Sequence, residues 1–132
     1  MPFVVDASVA GCWALDDEDH AVAARALQRL KTEDATAPSS WWFEIRNLLL
    51  VSERRGRIGQ DDIAAFLSWL TVLPIVLDGE PEETRVLALA RAHRLSVYDA
   101  AYLELAQRTG LSLATLDKAL AAAARAEGVT VV

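Results

Sequence analysis

The chain has 132 residues, 53% hydrophobic and 24% charged, which reads as one folded domain over 1–132 and excludes a disordered chain. Its single cysteine, Cys12, excludes an internal disulfide and a cysteine-rich zinc site. Thirteen Lys and Arg against nineteen Asp and Glu give a net charge of −6, so the broad basic footprint of a nucleic-acid-coating protein is missing. A metal held by acids could still meet phosphates locally.

The apolar run over 2–5 ends at Asp6 and predicts a buried strand. A short helix follows over 8–15, with Ser8 as its cap. The acids Asp16, Asp17, Glu18 and Asp19 suit the start of a second helix reaching about Thr32, with Ala23, Leu27 and Leu30 at helical spacing. Residues 35–38 form a short strand or extended link. Ser39 or Ser40 caps a third helix that runs to Arg55 and stops at Gly56. A fourth helix spans 60–71, and a strand 73–77. Pro81 stands at the start of a fifth helix reaching about His93, where proline is tolerated. Ser96 opens a sixth helix that Gly110 ends. A strand over 111–115, a helix over 117–126 and a last strand over 129–132 complete the chain. This alternation predicts an α/β fold, a three-layer α/β/α arrangement around a mainly parallel sheet of four or five strands. An acid at position 6 without a basic leader predicts no signal peptide. No run of about 18 apolar residues crosses a membrane, and the expected compartment is the cytoplasm.

Ligands of open parallel sheets sit at the carboxyl ends of the strands. Asp6 follows the first strand directly and Asp117 follows the 111–115 strand. Either could be a simple helix cap. Glu44 lies in a stripe with Trp41, Leu48 and Val51, and Asn47 stands one turn on. A carboxylate in such a stripe needs a partner, either an arginine such as Arg46 or a metal. Asp99 fits a capping box with Ser96, yet it shares an apolar face with Tyr102, Leu103 and Ala106. Four acids thus have reason to converge. Like charges about 4 Å apart repel by roughly 4 kcal/mol per pair at an effective dielectric near 20, and a divalent cation removes that repulsion. An all-oxygen donor set selects Mg²⁺, with Mn²⁺ able to substitute. Both histidines, His20 and His93, lie on polar stretches and read as solvated.

At these spacings the chain resembles the PIN-domain ribonucleases, specifically the VapC-type toxins of bacterial toxin–antitoxin pairs. The resemblance rests on Val4-Val5-Asp6-Ala7-Ser8, on Phe43-Glu44-Ile45-Arg46-Asn47-Leu48-Leu49, on the stretch from Tyr98 through Asp99 to Ala106, and on that from Leu113 through Asp117 to Leu120. It covers the full length in the family's order. It implies Mg²⁺- or Mn²⁺-dependent RNA cleavage, a homodimer, and inhibition by a small VapB-type antitoxin.

On this reading Asp6, Glu44 and Asp99 hold the metal, directly or through water, and Asp117 binds a second ion or orients waters. Ser8, Asn47 and Thr115, one to three places away, support them. Arg54, Arg55 and Arg57 form the densest basic stretch. They either compensate the helix dipole in a solvated turn or contact RNA phosphates. Trp41 and Trp42 point about 100° apart and cannot share one core layer, so one is free for a dimer or antitoxin interface. Trp13 and Trp69 read as core.

Other classes fit less well. A receiver domain shows an acidic pair after its first strand and a phospho-acceptor Asp on a middle strand; here Asp6 stands alone and the 73–77 strand leads only to Asp78. A haloacid-dehalogenase phosphatase needs a second Asp where Ser8 stands. No Gly-x-Gly-x-x-Gly or Walker motif is present. A non-catalytic α/β binding module is the remaining alternative, and intact acids at all four positions argue against it.

Overall fold

The structure is a computed structural model that describes residues 1–15 and 20–132. The described elements are β1 (Phe3–Val5), α1 (Ala7–Ala14), α2 (Ala21–Arg29), β2 (Ala35–Pro38), α3 (Trp41–Arg54), α4 (Gln60–Thr71), β3 (Ile75–Asp78), α5 (Glu83–His93), α6 (Val97–Thr109), β4 (Ser112–Ala114) and α7 (Lys118–Ala126). The four strands form one parallel sheet in the order β3-β2-β1-β4. Helices cover both of its faces. The buried α6 lies across β1, β2 and β4 and packs on α5 and α7, while α1 packs on α2 and α3. This is the expected α/β/α architecture.

β1 is an inner strand, and its sequence suits that place. Phe3, Val4 and Val5 are all fully buried, as a strand covered on both faces requires. The chain winds from β1 outward through β2 to β3, then returns to the other side of β1 as β4. The strand order therefore reverses at β1, and the crevice at the carboxyl ends of β1 and β4 is where such sheets bind ligands. The hydrogen bond from Asp6 N–H to the Ala114 carbonyl, 2.9 Å, carries the β1–β4 ladder into that crevice. On the other side of the crevice, α1 and α3 approach so closely that a Cβ on Gly11 would stand 2.6 Å from Leu48 Cδ1.

Several boundaries differ from expectation. The expected strand over 73–77 begins two residues later, because the Leu73 N–H closes the last turn of α4 on the Leu70 carbonyl. The expected strand over 129–132 is reduced to one bridge, Leu113 with Val131. Two bonds flank it, Leu113 N–H to the Thr130 carbonyl and Val132 N–H to the Leu113 carbonyl, each 2.9 Å. Pro81 stands ahead of the α5 N-cap, Glu82, and not inside the helix. The acids 16–19, expected as the first turn of α2, lie outside the described residues. The α2 N-cap is His20, whose Nδ1 accepts from the Val22 N–H at 3.2 Å.

His20 is exposed as expected, but His93 is not solvated. Its Nε2 meets Glu127 Oε2 at 2.6 Å, and Glu127 also holds Arg85. The tryptophans divide as their 100° separation requires. Trp41 is 5% exposed and Trp42 46%. Trp13 is half-buried and donates Nε1–H to the Ala23 carbonyl at 2.9 Å. Trp69, expected in the core, is 39% exposed and packs edge-on to Trp13.

Candidate active site

Asp6, Glu44, Asp99 and Asp117 line one cavity of about 300 Å³, together with Ala7, Ser8, Asn47 and Leu48. Four separate elements deliver the acids. Asp6 is the N-cap of α1, Glu44 sits in the first turn of α3, Asp99 in the first turn of α6, and Asp117 is the N-cap of α7. Four helices thus start around this cavity, and their amino-terminal dipoles favour negative charge there.

Asp6 is 4% exposed. Its side chain makes no well-formed cap bond to α1, although the nearby Ser8 N–H favours its charged form, so its main partners lie elsewhere. Oδ2 instead accepts two hydroxyls, Thr115 Oγ1–H at 2.6 Å and Ser8 Oγ–H at 2.8 Å. Ser8 is therefore not the cap of α1. Its hydroxyl oxygen accepts from the Leu116 N–H at 3.0 Å, while Thr115 Oγ1 accepts from the Asp117 N–H at 3.0 Å. These bonds tie the β1 and β4 ends into one unit. Burial raises the Asp6 carboxyl above the usual range, against the pull of both hydroxyls, and the Asp117 charge adds to the rise.

Glu44 is held in the same way. Its Oε1 accepts Ser40 Oγ–H at 3.0 Å and Tyr102 O–H at 3.1 Å. Ser40 is the α3 N-cap, but its hydroxyl goes to Glu44 and not to the helix backbone. Arg46 is not Glu44's partner. It donates to the Trp42 carbonyl at 3.1 Å and lies 3.9 Å over the Trp42 ring. Burial raises the Glu44 carboxyl, and the charges of Asp6 and Asp99 raise it further. Tyr102 is fully buried, and burial, then Asp6 and Glu44, pushes its phenol far above its usual range, so it stays a donor.

Asp99 and Asp117 are less enclosed. The Asp99 N–H donates to Ser96 Oγ at 3.1 Å, half of the expected capping box. Burial raises the Asp99 carboxyl, followed by the charges of Asp117 and Asp6. Asp117 does cap its helix, with Oδ1 accepting from the Leu120 N–H at 3.0 Å. Asn47 lines the cavity from an exposed position.

The acids therefore feel one another, yet they are not drawn into a finished cage. Among the described residues, no three Asp, Glu, His or Cys side chains form a ready cation cluster. Repulsion among carboxylates opposes such closure. The donor set still suits a hard cation: every candidate is a carboxylate oxygen, and Asp6 and Glu44 are each gripped by hydroxyls on one oxygen, which leaves each its other oxygen to offer.

Arg54, Arg55 and Arg57 are exposed and sit at or beyond the far end of α3 from Glu44. Ten residues of helix separate Glu44 from Arg54, about 15 Å. Asp78, the acid a receiver reading would need, ends the edge strand β3 and is bound to Arg108 at 2.7 Å. A larger cavity, about 580 Å³, lies at the opposite end of the sheet beside Met1, Pro2 and Ser112. Its charged groups, Arg85 and Glu127, pair with each other, so it presents no comparable acid cluster.

Sequence reading missed Ser40, Tyr102 and Glu104. Ser40 and Glu44 are one helical turn apart, which was the available signal. Glu104 is 1% exposed, and both its carboxylate oxygens accept from Arg108 Nε at 2.9 and 3.0 Å. The i,i+4 spacing of Glu104 and Arg108 was the signal there.

Comparison with known proteins agrees with this geometry. A model of the PIN domain matches residues 3–126. Ribonuclease VapC3 of Pyrobaculum aerophilum is 35% identical over 127 residues, covering 92% of this chain and 93% of that one. A crystal structure of PAE2754, also from Pyrobaculum aerophilum, superimposes with a TM-score of 0.76 at 25% identity, covering 99% of this chain and 89% of the other. With a family match across nearly its whole length and a VapC relative above one-third identity, the chain belongs to the PIN-domain family, among proteins of the VapC type.

Proposed function

We propose that the chain is a metal-dependent endoribonuclease toxin that hydrolyses RNA phosphodiester bonds and is neutralised by a small VapB-type antitoxin. The observation that carries this reading is the single cavity that Asp6, Glu44, Asp99 and Asp117 line at the strand-order reversal. Its support is the kinship with a VapC ribonuclease. Acids whose proton affinity is raised by burial and by neighbouring charge, as at Asp6, Glu44 and Asp99, do not add to stability, and such perturbed groups cluster at functional sites.

Asp6, Glu44 and Asp99 would hold Mg²⁺ or Mn²⁺, with Asp117 holding a second ion or ordering water. A bound divalent ion would supply neutralisation of the phosphate charge and a more acidic water at neutral pH. The chain's own residues do the rest. Ser8 and Thr115 fix Asp6, and Ser40 and Tyr102 fix Glu44, so that neither carboxylate must reorganise as substrate binds. Arg54, Arg55 and Arg57 would meet RNA phosphates away from the acids. A homodimer belongs to the same proposal, and the exposed Trp42 and Phe43 on α3, at 46% and 70%, are apolar surface for one of the two protein partners. The site of action would be the cytoplasm, where the substrate is. Among the described residues no helix is long and apolar enough to cross a membrane.

The test is cleavage of RNA by the purified chain with Mg²⁺ or Mn²⁺ and with EDTA. Cleavage that needs the metal and is lost in Asp6→Asn is expected. Equal cleavage in EDTA, with contaminating nuclease excluded, would overturn the metal mechanism. No cleavage of any RNA would leave a non-catalytic binding module.

A further inference from the structure

We infer that Tyr98 and the apolar groove beside it form a nucleobase-binding subsite next to the acids. The inference rests on the ribonuclease reading and adds to it the chemical group that anchors the substrate. The groove has a volume of about 180 Å³. Its apolar walls include Pro38, Pro81, Tyr98 and Leu105, and the paired side chains of Asp78 and Arg108 also line it.

Two features make it continuous with the acid cavity. Ser40 lines the groove and donates its hydroxyl to Glu44 at 3.0 Å. Tyr98 precedes Asp99 in the first turn of α6. Adjacent helical residues diverge by about 100°, so one helical turn serves the acid cavity with Asp99 and the groove with Tyr98. An RNA cut at the acids must place the bases flanking the scissile phosphate close by, and this groove shares the acids' wall.

The occupant follows from charge and exposure. The chain carries a net charge of −6, an ion held at the acids would serve the scissile phosphate alone, and the densest basic stretch begins about 15 Å along α3 from Glu44. Electrostatic grip on the nucleotides flanking that phosphate is therefore weak, and contacts that do not depend on charge are needed to add to it. Stacking on an aromatic ring is such a contact and tolerates any base. Tyr98 is 63% exposed, too open for a core residue and placed for a flat ligand. The paired Asp78 and Arg108 offer an acceptor and a donor to the edge of a base. Arg108 is also held by the buried Glu104, which fixes its position.

The experiment measures binding of fluorescent single-stranded RNA of randomised sequence in an Asp6→Asn background, which prevents cleavage. Tyr98→Ala is compared with Tyr98→Phe and Tyr98→Trp, and a ribose-phosphate oligomer without bases is the second ligand. Affinity for RNA is expected to fall roughly tenfold in Tyr98→Ala and to be kept in the aromatic variants, the size that loss of one stacked base produces. Affinity for the abasic oligomer is expected not to change, nor is the melting temperature. An equal loss on the abasic oligomer, or no loss on RNA, overturns the subsite. So does a loss in Tyr98→Ala that is confined to binding of the protein antitoxin, which would make the groove a partner surface. Metal-dependent cleavage by the wild-type chain alongside full activity in Tyr98→Ala overturns the subsite alone. Failure of the wild-type chain to bind or cut any RNA overturns the ribonuclease reading with it.

Discussion

The Tyr102 hydroxyl donates to the same Glu44 oxygen that takes the Ser40 hydroxyl, at 3.1 and 3.0 Å. A phenol from the middle of α6 and a serine at the head of α3 thus fix one carboxylate between them. Tyr102→Phe keeps the ring's packing and removes only the donor. Partners of ligating groups typically change metal affinity or activity 10–100-fold. We expect Mn²⁺ affinity by calorimetry to fall about tenfold, with stability reduced by about 1–3 kcal/mol. Unchanged Mn²⁺ affinity would assign Tyr102 to the core alone.

Asp6→Asn should leave the metal-free fold as stable as wild type or more so at neutral pH. Folding raises the carboxyls of Asp6, Glu44 and Asp99, each through burial first. A carboxyl that holds its proton more tightly when folded costs stability at neutral pH. That cost vanishes as pH falls through the raised value toward the ordinary 3.8 of Asp6. Glu33 runs the other way: Arg29 and the terminal amine pull it down to about 2, so its contribution is present above 4.5 and lost on acidification. The difference between wild type and Asp6→Asn cancels such terms. In EDTA the variant's advantage should shrink toward zero by about pH 4. Divalent ion should then raise the melting temperature of wild type more than that of the variant.

Arg54→Ala with Arg55→Ala should weaken RNA binding and flatten its salt dependence. Each lost phosphate contact on a single strand removes about 0.7 from the log–log slope, so the pair removes about 1.4. Metal affinity should not change. An identical slope would leave the arginines to the solvated turn.

Glu104→Gln should destabilise the chain by about 1–2 kcal/mol without altering Mn²⁺ affinity. The buried carboxylate loses its charge-assisted bonds to Arg108. Solvent reaches Arg108, 37% exposed, and Asp78 still pairs with it, which keeps the loss at the low end. Chemical denaturation measures it, and a loss of metal binding alone would contradict the assignment.

Trp42→Ala should weaken the cognate antitoxin by about 2 kcal/mol or more if Trp42 is its aromatic anchor. Glu44→Gln should weaken it as well, because an arginine fork set among the acids grips carboxylates bidentately. Unaltered affinity in both variants would place the inhibitor elsewhere.

Much of this arrangement was legible because it is local. Phe3-Val4-Val5 announces a strand buried on both faces, and Asp6, Asp99 and Asp117 announce themselves as acids at helix starts. Glu44 stood out because its stripe was apolar. What escaped was the pairing across the fold. Tyr102 reads as one more core aromatic until α6 is laid across the sheet, 58 residues from Glu44 in the chain. Ser40 reads as a cap, and only geometry shows its hydroxyl spent on a carboxylate. Glu104 hides in a run whose neighbours Leu103 and Leu105 are buried, where an acid looks like a surface residue. His93 needed Glu127, 34 residues away, before it could read as anything but solvated.

The close approach of Gly11 and Leu48 makes the width of the acid cavity a matter of helix spacing. α1 carries Asp6 at its head, α3 carries Glu44, and Leu48 touches Gly11 on one side while lining the acid cavity on the other. A single added methyl at position 11 must either part the two helices or drive Leu48 from its place. Parting the helices would widen the aperture between the two carboxylates with no polar atom altered. Glycine at this position lets α1 and α3 lie close together, so a residue with no side chain helps to space the heads of two acid-bearing helices.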